Sequence, residues 1–475
     1  MSAARTPRTP RPTRPTRRTL LAAGLGALGV AATASPAGAA STSVGKACSF
    51  AASASDSVRS GQAFLDAMAD AYPTANPGVR LAQSHADELG LFSTAFVYDN
   101  ALAICAYLAA GRARLAQARR LGDALLYAQA HDPGYSDGRL RQAYNVGPYV
   151  FHDGTPQPHG FVLPDGGANV GRQFGFLGTA VGDMAWPGIA LLHLFTRTGD
   201  PRYRAGARAI GTWIVTNARS DQALGGFTFG VDGSNAKVAA GSSEHNIDLI
   251  SFFTLLARAT REKVWLEHAR HARTFVQRMW NASGRYFHTG TNDGTTVNPS
   301  PVPEDVQTWA WLALREPRYA KAVDWAASAL TVTDVAGAGN SQLPAGVSLR
   351  GVTFSDTSLT SSASYNGRTV HPKGVWLEGT GHLVAAYRDR HGPGDAARAA
   401  GLLDQMRTAQ RLLGTGQHVG GTALPRAGGV VAASSLIDTG FGFGYFPVQH
   451  VGATSWYLMA ALGANPYQSG GLGHH

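Results

Sequence analysis

Apolar residues recur at helical spacing along most of this chain, and at least five times a polar cluster stands where an apolar helix should begin. The clusters occupy residues 97–100, 183–186, 243–248, 303–309 and 375–380, and they mix carboxylates with Trp and Tyr. Burying an unpaired carboxylate is costly. Several helices opening this way in register therefore point to one shared polar cavity.

The periodicity predicts helices over 58–72, 96–110, 112–129, 184–198, 201–217, 244–258, 263–280, 304–314, 318–330, 376–390, 396–413 and 448–462. After the first, they come in pairs. The first member of a pair is apolar nearly all round, as in 189–195 and 249–256; the second is one-faced and Arg-rich, as in 202–208. All-round apolar helices belong inside and one-faced helices outside. Pairs recurring roughly every 60 to 90 residues signal a repeat architecture. Six such hairpins close into an all-α (α/α)6 toroid of about twelve helices, with the lone first helix completing the last pair. Between pairs, 138–144, 225–229 and 284–288 share a glycine-plus-aromatic, strand-like pattern, and 440–445 reads as a further rim segment. These short β-like pieces would form the rim of the cavity. The glycines of 440–445 follow no strand as a phosphate loop would, so no nucleotide site is expected.

Charge changes this picture little. Of 475 residues, the first 40 hold six arginines and no acid, and without them the formal +10 falls to +4. No nucleic-acid partner is expected from that balance. Arg17-Arg18 precede an apolar run over 20–34 and a small-residue site at Ala37-Gly38-Ala39. That is a twin-arginine export signal, cut near Ala39 or Ala40. The run is shorter than the roughly 20 residues of a membrane span, so no membrane association is expected after cleavage. The reading divides the chain into a signal (1–40), a small-residue segment (41–57), one toroid domain (58–466) and a short tail (467–475). The two cysteines, Cys48 and Cys105, make no disulfide scaffold. No zinc spacing is present, and Glu244, His245 and Asp248 alone are too few for a metal. No cofactor is expected, and the protein is read as a monomer.

The segments 96–103, 243–253, 304–311, 375–383 and 441–466 resemble the six-hairpin glycosidase superfamily, and specifically a group of secreted bacterial proteins within it. By architecture the likeness spans nearly the whole chain after the signal. The resemblance implies a cavity lined by the inner helices. It makes inverting glycoside hydrolysis the commonest chemistry, with two acids across the cavity. Lyases and epimerases use helical toroids too, and fold does not fix function.

Glycoside hydrolysis needs one carboxyl to protonate the leaving oxygen and a second carboxylate. Asp99, Glu244 and Glu378 open the first, third and fifth inner helices, about a third of a turn apart in a closed ring, and are the candidate catalytic acids. Glu244 is read as general acid, although Ser242 and Ser243 also make it an ordinary N-terminal charge. Glu378, between Trp376 and Gly379, is read as general base, with Asp99 as the alternative. Asp248, one turn below Glu244 on the same face, is a candidate to hold a sugar hydroxyl or orient Glu244, or else to pair with a buried arginine. Asn246, Asp305, Gln307 and His450 are candidates for sugar hydroxyls; Tyr98, Trp309 and Trp376 offer flat faces for stacking. For the Trp residues, core packing is the plainer reading. The expectation is an exported hydrolase of a polysaccharide or oligosaccharide. Two alternatives stay open: a lyase or epimerase, for which Tyr144, Arg172 and His371 are available, and a non-catalytic glycan-binding protein.

Overall fold

The computed structural model describes residues 54–473 apart from 73–77, 91–92, 151–155, 158 and 171–176. The export signal, Cys48 and Arg172 lie outside the described residues. Twelve α-helices follow in chain order: α1 (Ala54–Ala69), α2 (Val97–Ala109), α3 (Leu115–Ala130), α4 (Val181–Thr198), α5 (Pro201–Ala218), α6 (Ser243–Thr260), α7 (Val264–Arg278), α8 (Glu304–Leu314), α9 (Ala320–Ala329), α10 (Leu377–Arg390), α11 (Asp395–Leu412) and α12 (Val451–Leu462). The even-numbered helices form the inner ring. Each packs on its two neighbours, and α12 returns to α2, so the ring closes. The outer helices back them, and α1 covers α12. No helix among the described residues is long and apolar enough to cross a membrane.

The inner helices are buried nearly all round, as α2 is from Val97 to Leu108, because both flanks meet inner neighbours and the back meets an outer helix. The outer helices bury one stripe; α7 hides Trp265, Ala269, Ala272, Phe275 and Val276. Asp200 caps α5 by accepting from the Arg202 amide, with Pro201 at the first helical position.

Short antiparallel pairings hold the start of every inner helix. Residues 94–96 pair with 143–145, 179–180 with 230–231, and 241–242 with 290–291. Single bridges do the same at Pro303–Ser355, Trp376–Ala433 and His450–His85. Each start is thus tied to the next connection round the ring, and the His450–His85 bridge joins the last to the first. The strand-like rim pieces expected at 138–144, 225–229 and 284–288 overlap or border such pairings.

A second belt lies at the fourth residue of each inner helix. Asn100, Met184, Asn246, Gln307, Thr380 and Thr454 each accept a backbone N–H from the preceding connection. The donors are Ala82 (2.8 Å), Leu140 (3.0 Å), Phe227 (2.9 Å), Phe287 (2.8 Å), Val352 (3.2 Å) and Val430 (2.9 Å). The three amides also donate to the carbonyl of that same donor residue, closing a two-bond clamp. Each donates as well to the carbonyl four residues back. This corrects the expectation for Asn246 and Gln307. Their amide groups are saturated by backbone and hold loops, so neither has a free group for a sugar. Asn246→Ala would strand the buried amide and carbonyl of Phe227. Chemical denaturation should show a loss of roughly 2–4 kcal/mol, with the substrate-binding constant of the folded fraction unchanged.

Candidate active site

With their starts aligned, the inner helices present layers of side chains toward the ring axis. The second helical residues are Tyr98, Gly182, Glu244, Asp305, Glu378 and Gly452. One turn lower, the sixth residues are Leu102, Trp186, Asp248, Trp309, His382 and Trp456. This lower layer is a floor. Trp186, Trp309 and Trp456 meet with ring centroids 5.4 to 5.9 Å apart, and His382 lies 4.5 Å from Trp456. Tyr467, the first residue of the expected tail, is buried here. Its ring meets Trp186 at 5.1 Å, and its hydroxyl donates to Asp248 Oδ1 at 2.7 Å. The toroid is therefore plugged at this depth and its cavity opens only toward the helix starts.

The floor corrects three expectations. Trp309 is a floor residue with no open face. Trp376 precedes α10, is buried, and is covered by Phe354 and Tyr445. Asp248 is fully buried with its Tyr467 bond; burial pushes its carboxyl well above the usual range.

Above the floor stand two groups of acids. In the first, Glu378 accepts from the Tyr98 hydroxyl at 2.6 Å, and Trp456 Nε1 donates to that hydroxyl at 3.1 Å. His382 lies between Glu304 (3.2 Å) and Glu378 (3.8 Å). Burial opposes the charge on this imidazole, but the two carboxylates outweigh it and lift His382 to about 9. His450 bridges Asp99, 3.2 Å from Nε2, and Glu378, 3.5 Å from Nδ1. Its Nδ1 also lies 3.3 Å from the Ala453 amide, and although burial opposes its charge, Asp99 and Glu378 raise the imidazole above its ordinary value. Burial works against ionised Glu378, yet His382, His450 and Tyr98 prevail and hold its carboxyl below the usual range. Gly452 makes this convergence possible. A Cβ there would stand 2.6 Å from Asp99 Oδ1 and 3.1 Å from Glu378 Oε2.

The second group is Glu244 with Asp305 and Asp183. Glu244 and Asp305 line a cleft of about 540 Å³, counted with its open mouth, between Phe229, Ser242, Thr291, Asn298, Phe354 and Phe441. Burial, then Asp305, Asp248, Asp183 and Glu378, push the Glu244 carboxyl well above its ordinary range. Asp305 is raised to about 7, first by burial and then by Glu304 and Glu378 against the opposing pull of His382 and the Val306 amide. Asp183, which accepts from Gln142 Nε2 at 3.0 Å, is also raised to about 7, by burial and by Asp99. Two carboxyls at equivalent helix positions are thus pushed in opposite directions, Glu378 toward its charged form and Glu244 toward its neutral form.

The structure brings together Asp99, Glu244, Glu378, Asp305, Tyr98 and His450 of the expected site. Sequence reasoning missed Asp183, His382, Glu304, His85 and Tyr445 as site residues. Asp183 was visible in its cluster. Tyr445 ends the 440–445 rim segment; burial and then Glu378, Asp99, Asp305 and Glu244 raise its hydroxyl. His85 stacks on His450 with centroids 4.2 Å apart and planes within 6°.

His85, Asp99 and His450 offer ligand atoms within 4.8 Å of one another. Stacked parallel rings aim their lone pairs side by side instead of at one point, so a single ion would require His85 to turn. Tyr144 lies in the rim pairing with its hydroxyl accepting from the Arg141 amide (3.1 Å), and His371 stands 3.5 Å from Asp334.

Comparison of the sequence with family models and with curated proteins gives no match. Solved structures do match in shape. A sugar epimerase from a ruminal bacterium superposes with a TM-score of 0.56 at 10% identity, over 86% of this chain and 98% of that one. A glycosidase gives 0.53 at 14% identity, over 88% and 99%. A D-mannose isomerase gives 0.53 at 12% identity, over 86% and 95%. The chain therefore has the six-hairpin (α/α)6 toroid fold that these carbohydrate-active enzymes share.

Proposed function

We propose that this protein is an exported glycoside hydrolase in which Glu244 is the general acid and Glu378 the general base. The observation that carries the reading is that these two buried carboxyls, on α6 and α10 of one ring, are pushed in opposite directions, Glu244 toward the neutral form where it lines the cleft and Glu378 toward the charged form. Glu244 gives its proton to the leaving glycosidic oxygen as the C–O bond breaks. Glu378 takes a proton from the water that attacks the anomeric carbon. Tyr98 and His382 hold Glu378 in place and in charge. α8 separates α6 from α10 in the ring, and an inverting mechanism asks for about 6.5–9.5 Å between the two carboxyls. The Arg17-Arg18 signal favours action outside the cytoplasm.

A sugar epimerase or isomerase is the second reading, favoured by the fold neighbours. It needs an imidazole free to exchange a proton. His382 is locked between Glu304 and Glu378, and burial keeps His245 neutral, at about 3, beneath Phe229. His450 and His85, stacked beside Asp99, are the imidazoles left for that role, and the opposite shifts of Glu244 and Glu378 are what favour hydrolysis. The test is a screen of the mature chain against polysaccharides and oligosaccharides. New reducing ends of inverted configuration by NMR support the hydrolase. A changed monosaccharide with no new reducing ends supports the epimerase, unsaturated ultraviolet-absorbing products support a lyase, and binding without any product supports a glycan-binding protein.

A further inference from the structure

A second cavity, of about 570 Å³, lies at the far end of the ring, where α4 and α6 finish. Its volume is that of a small-molecule site. Arg204 on α5, Arg258 in the last turn of α6 and Arg261 just beyond it line the cavity; no carboxylate among the described residues does. The acids beside them in sequence are engaged elsewhere. Asp200 accepts from Arg202 at 2.7 Å, and Glu262 from Arg208 at 3.1 Å and from Trp265 Nε1 at 2.7 Å. None of the three guanidiniums is in an ion pair among the described residues. Arg204 is held to the wall by the Phe195 ring, its guanidinium carbon 5.0 Å from the centroid. Three like charges around one space repel one another, and an entering anion removes that repulsion. Helix ends gather carbonyls, which oppose an anion, but these carbonyls are engaged. The Thr196 and Thr260 hydroxyls donate to the Leu192 and Leu256 carbonyls at 2.9 and 2.8 Å, and the Gly199 and Arg261 amides cap Phe195 and Ala257. Both threonines keep oxygen lone pairs for a hydroxyl donor, and Ser469 of the tail adds a third hydroxyl.

We propose that this cavity binds a ligand carrying two or more anionic groups on a hydroxylated body, held by Arg204 from one side and by Arg258 and Arg261 from the other. Arginine forks suit phosphate and carboxylate alike. A free sugar bisphosphate and a short acidic saccharide share this chemistry. The arginines come from two helices, so one anionic group does not serve all three. The 18 residues of α6 put about 27 Å between this cavity and Glu244 at the helix start. The site is separate from the cleft, and the inference does not rest on the hydrolase reading.

The test is calorimetry on the mature chain at low salt with fructose 1,6-bisphosphate, a galacturonate trimer, inorganic phosphate and a neutral glucose trimer. One of the first two should bind about tenfold or more tighter than inorganic phosphate, a difference near 1.4 kcal/mol, and binding should weaken as salt rises. Preference for the bisphosphate upholds the inference with a free sugar phosphate as the source; preference for the uronate trimer upholds it with an acidic saccharide. Arg258→Gln and Arg261→Asn should each weaken binding about tenfold, the scale of one lost charged hydrogen bond. Both arginines are exposed, and asparagine tolerates the left-handed backbone of Arg261, so both variants keep the fold. Arg270→Gln, at an exposed arginine outside the lining, should change nothing. Glu244→Gln should also bind as the wild type does. If neither charged saccharide binds, or inorganic phosphate binds as tightly, the inference is wrong. It is also wrong if binding survives both arginine variants or is lost in Glu244→Gln.

Discussion

Glu378→Gln should lower kcat by about 10³-fold, the scale of a lost general base, in a protein whose circular dichroism is unchanged. Glutamine keeps the shape and can still accept from Tyr98, but it cannot take a proton from water. The pH profile separates this role from a structural one. In the wild type, activity requires Glu378 ionised and Glu244 protonated. Glu378 is held below the usual carboxyl range, so activity is lost only as pH falls through that depressed value. Glu244 is raised, so activity is lost as pH rises through its elevated value. The residual activity of Glu378→Gln should lack the acidic limb. Glu244→Gln should lack the alkaline limb and be largely spared on a nitrophenyl glycoside, whose leaving group needs no proton. If Glu378→Gln keeps a tenth or more of the activity and Asp99→Asn does not, the base is Asp99, the alternative on α2.

The architecture was legible because it repeats. Apolar runs and their polar openings recur at one spacing, and the inner or outer place of each helix follows from how many faces are apolar. Helix ends were less legible. Arg261, Arg315 and His391 end α6, α8 and α10 at φ of 63°, 51° and 53°, in the left-handed region that glycine signals to a sequence reader. Of the inner helices named here, α4 and α12 end on glycine, at Gly199 and Gly463. The polar openings carried two messages written over each other. Their second residues face the axis; their fourth residues, Asn100, Asn246 and Gln307 among them, clamp loops. Both kinds are polar, and only the three-dimensional register tells a carboxyl on the axis from an amide on the backbone. His382 was hidden for a similar reason. It sits one turn below Glu378 in an apolar stretch, and its partner Glu304 comes from another helix 78 residues away.

Gly452→Ala should cost about 10²-fold in kcat/KM, the scale of displacing reacting groups by an ångström, in a protein that stays folded. Gly452 lies in the first turn of α12 and its φ is not among the positive ones, so alanine suits the backbone. By propensity, the change even favours the helix, by up to about 1 kcal/mol. The difficulty is in front of it. The added methyl would stand 2.6 Å from Asp99 Oδ1, 2.7 Å from His450 Cε1 and 3.1 Å from Glu378 Oε2. Asp99 and Glu378 come from α2 and α10, the two neighbours of α12 in the ring, and they meet only because α12 has no side chain there. The methyl pushes both away from the axis and from His450, which also weakens the hold that keeps Glu378 ionised. The acidic limb of the pH profile should therefore move up as the rate falls. Gly182, the other second-position glycine, is the control: a Cβ there meets His245, 2.4 Å away, and neither Asp99 nor Glu378. Gly182→Ala should leave the acidic limb where it is. If both variants shift it equally, packing of the ring in general, and not the meeting of Asp99 and Glu378 at Gly452, sets the charge of the base.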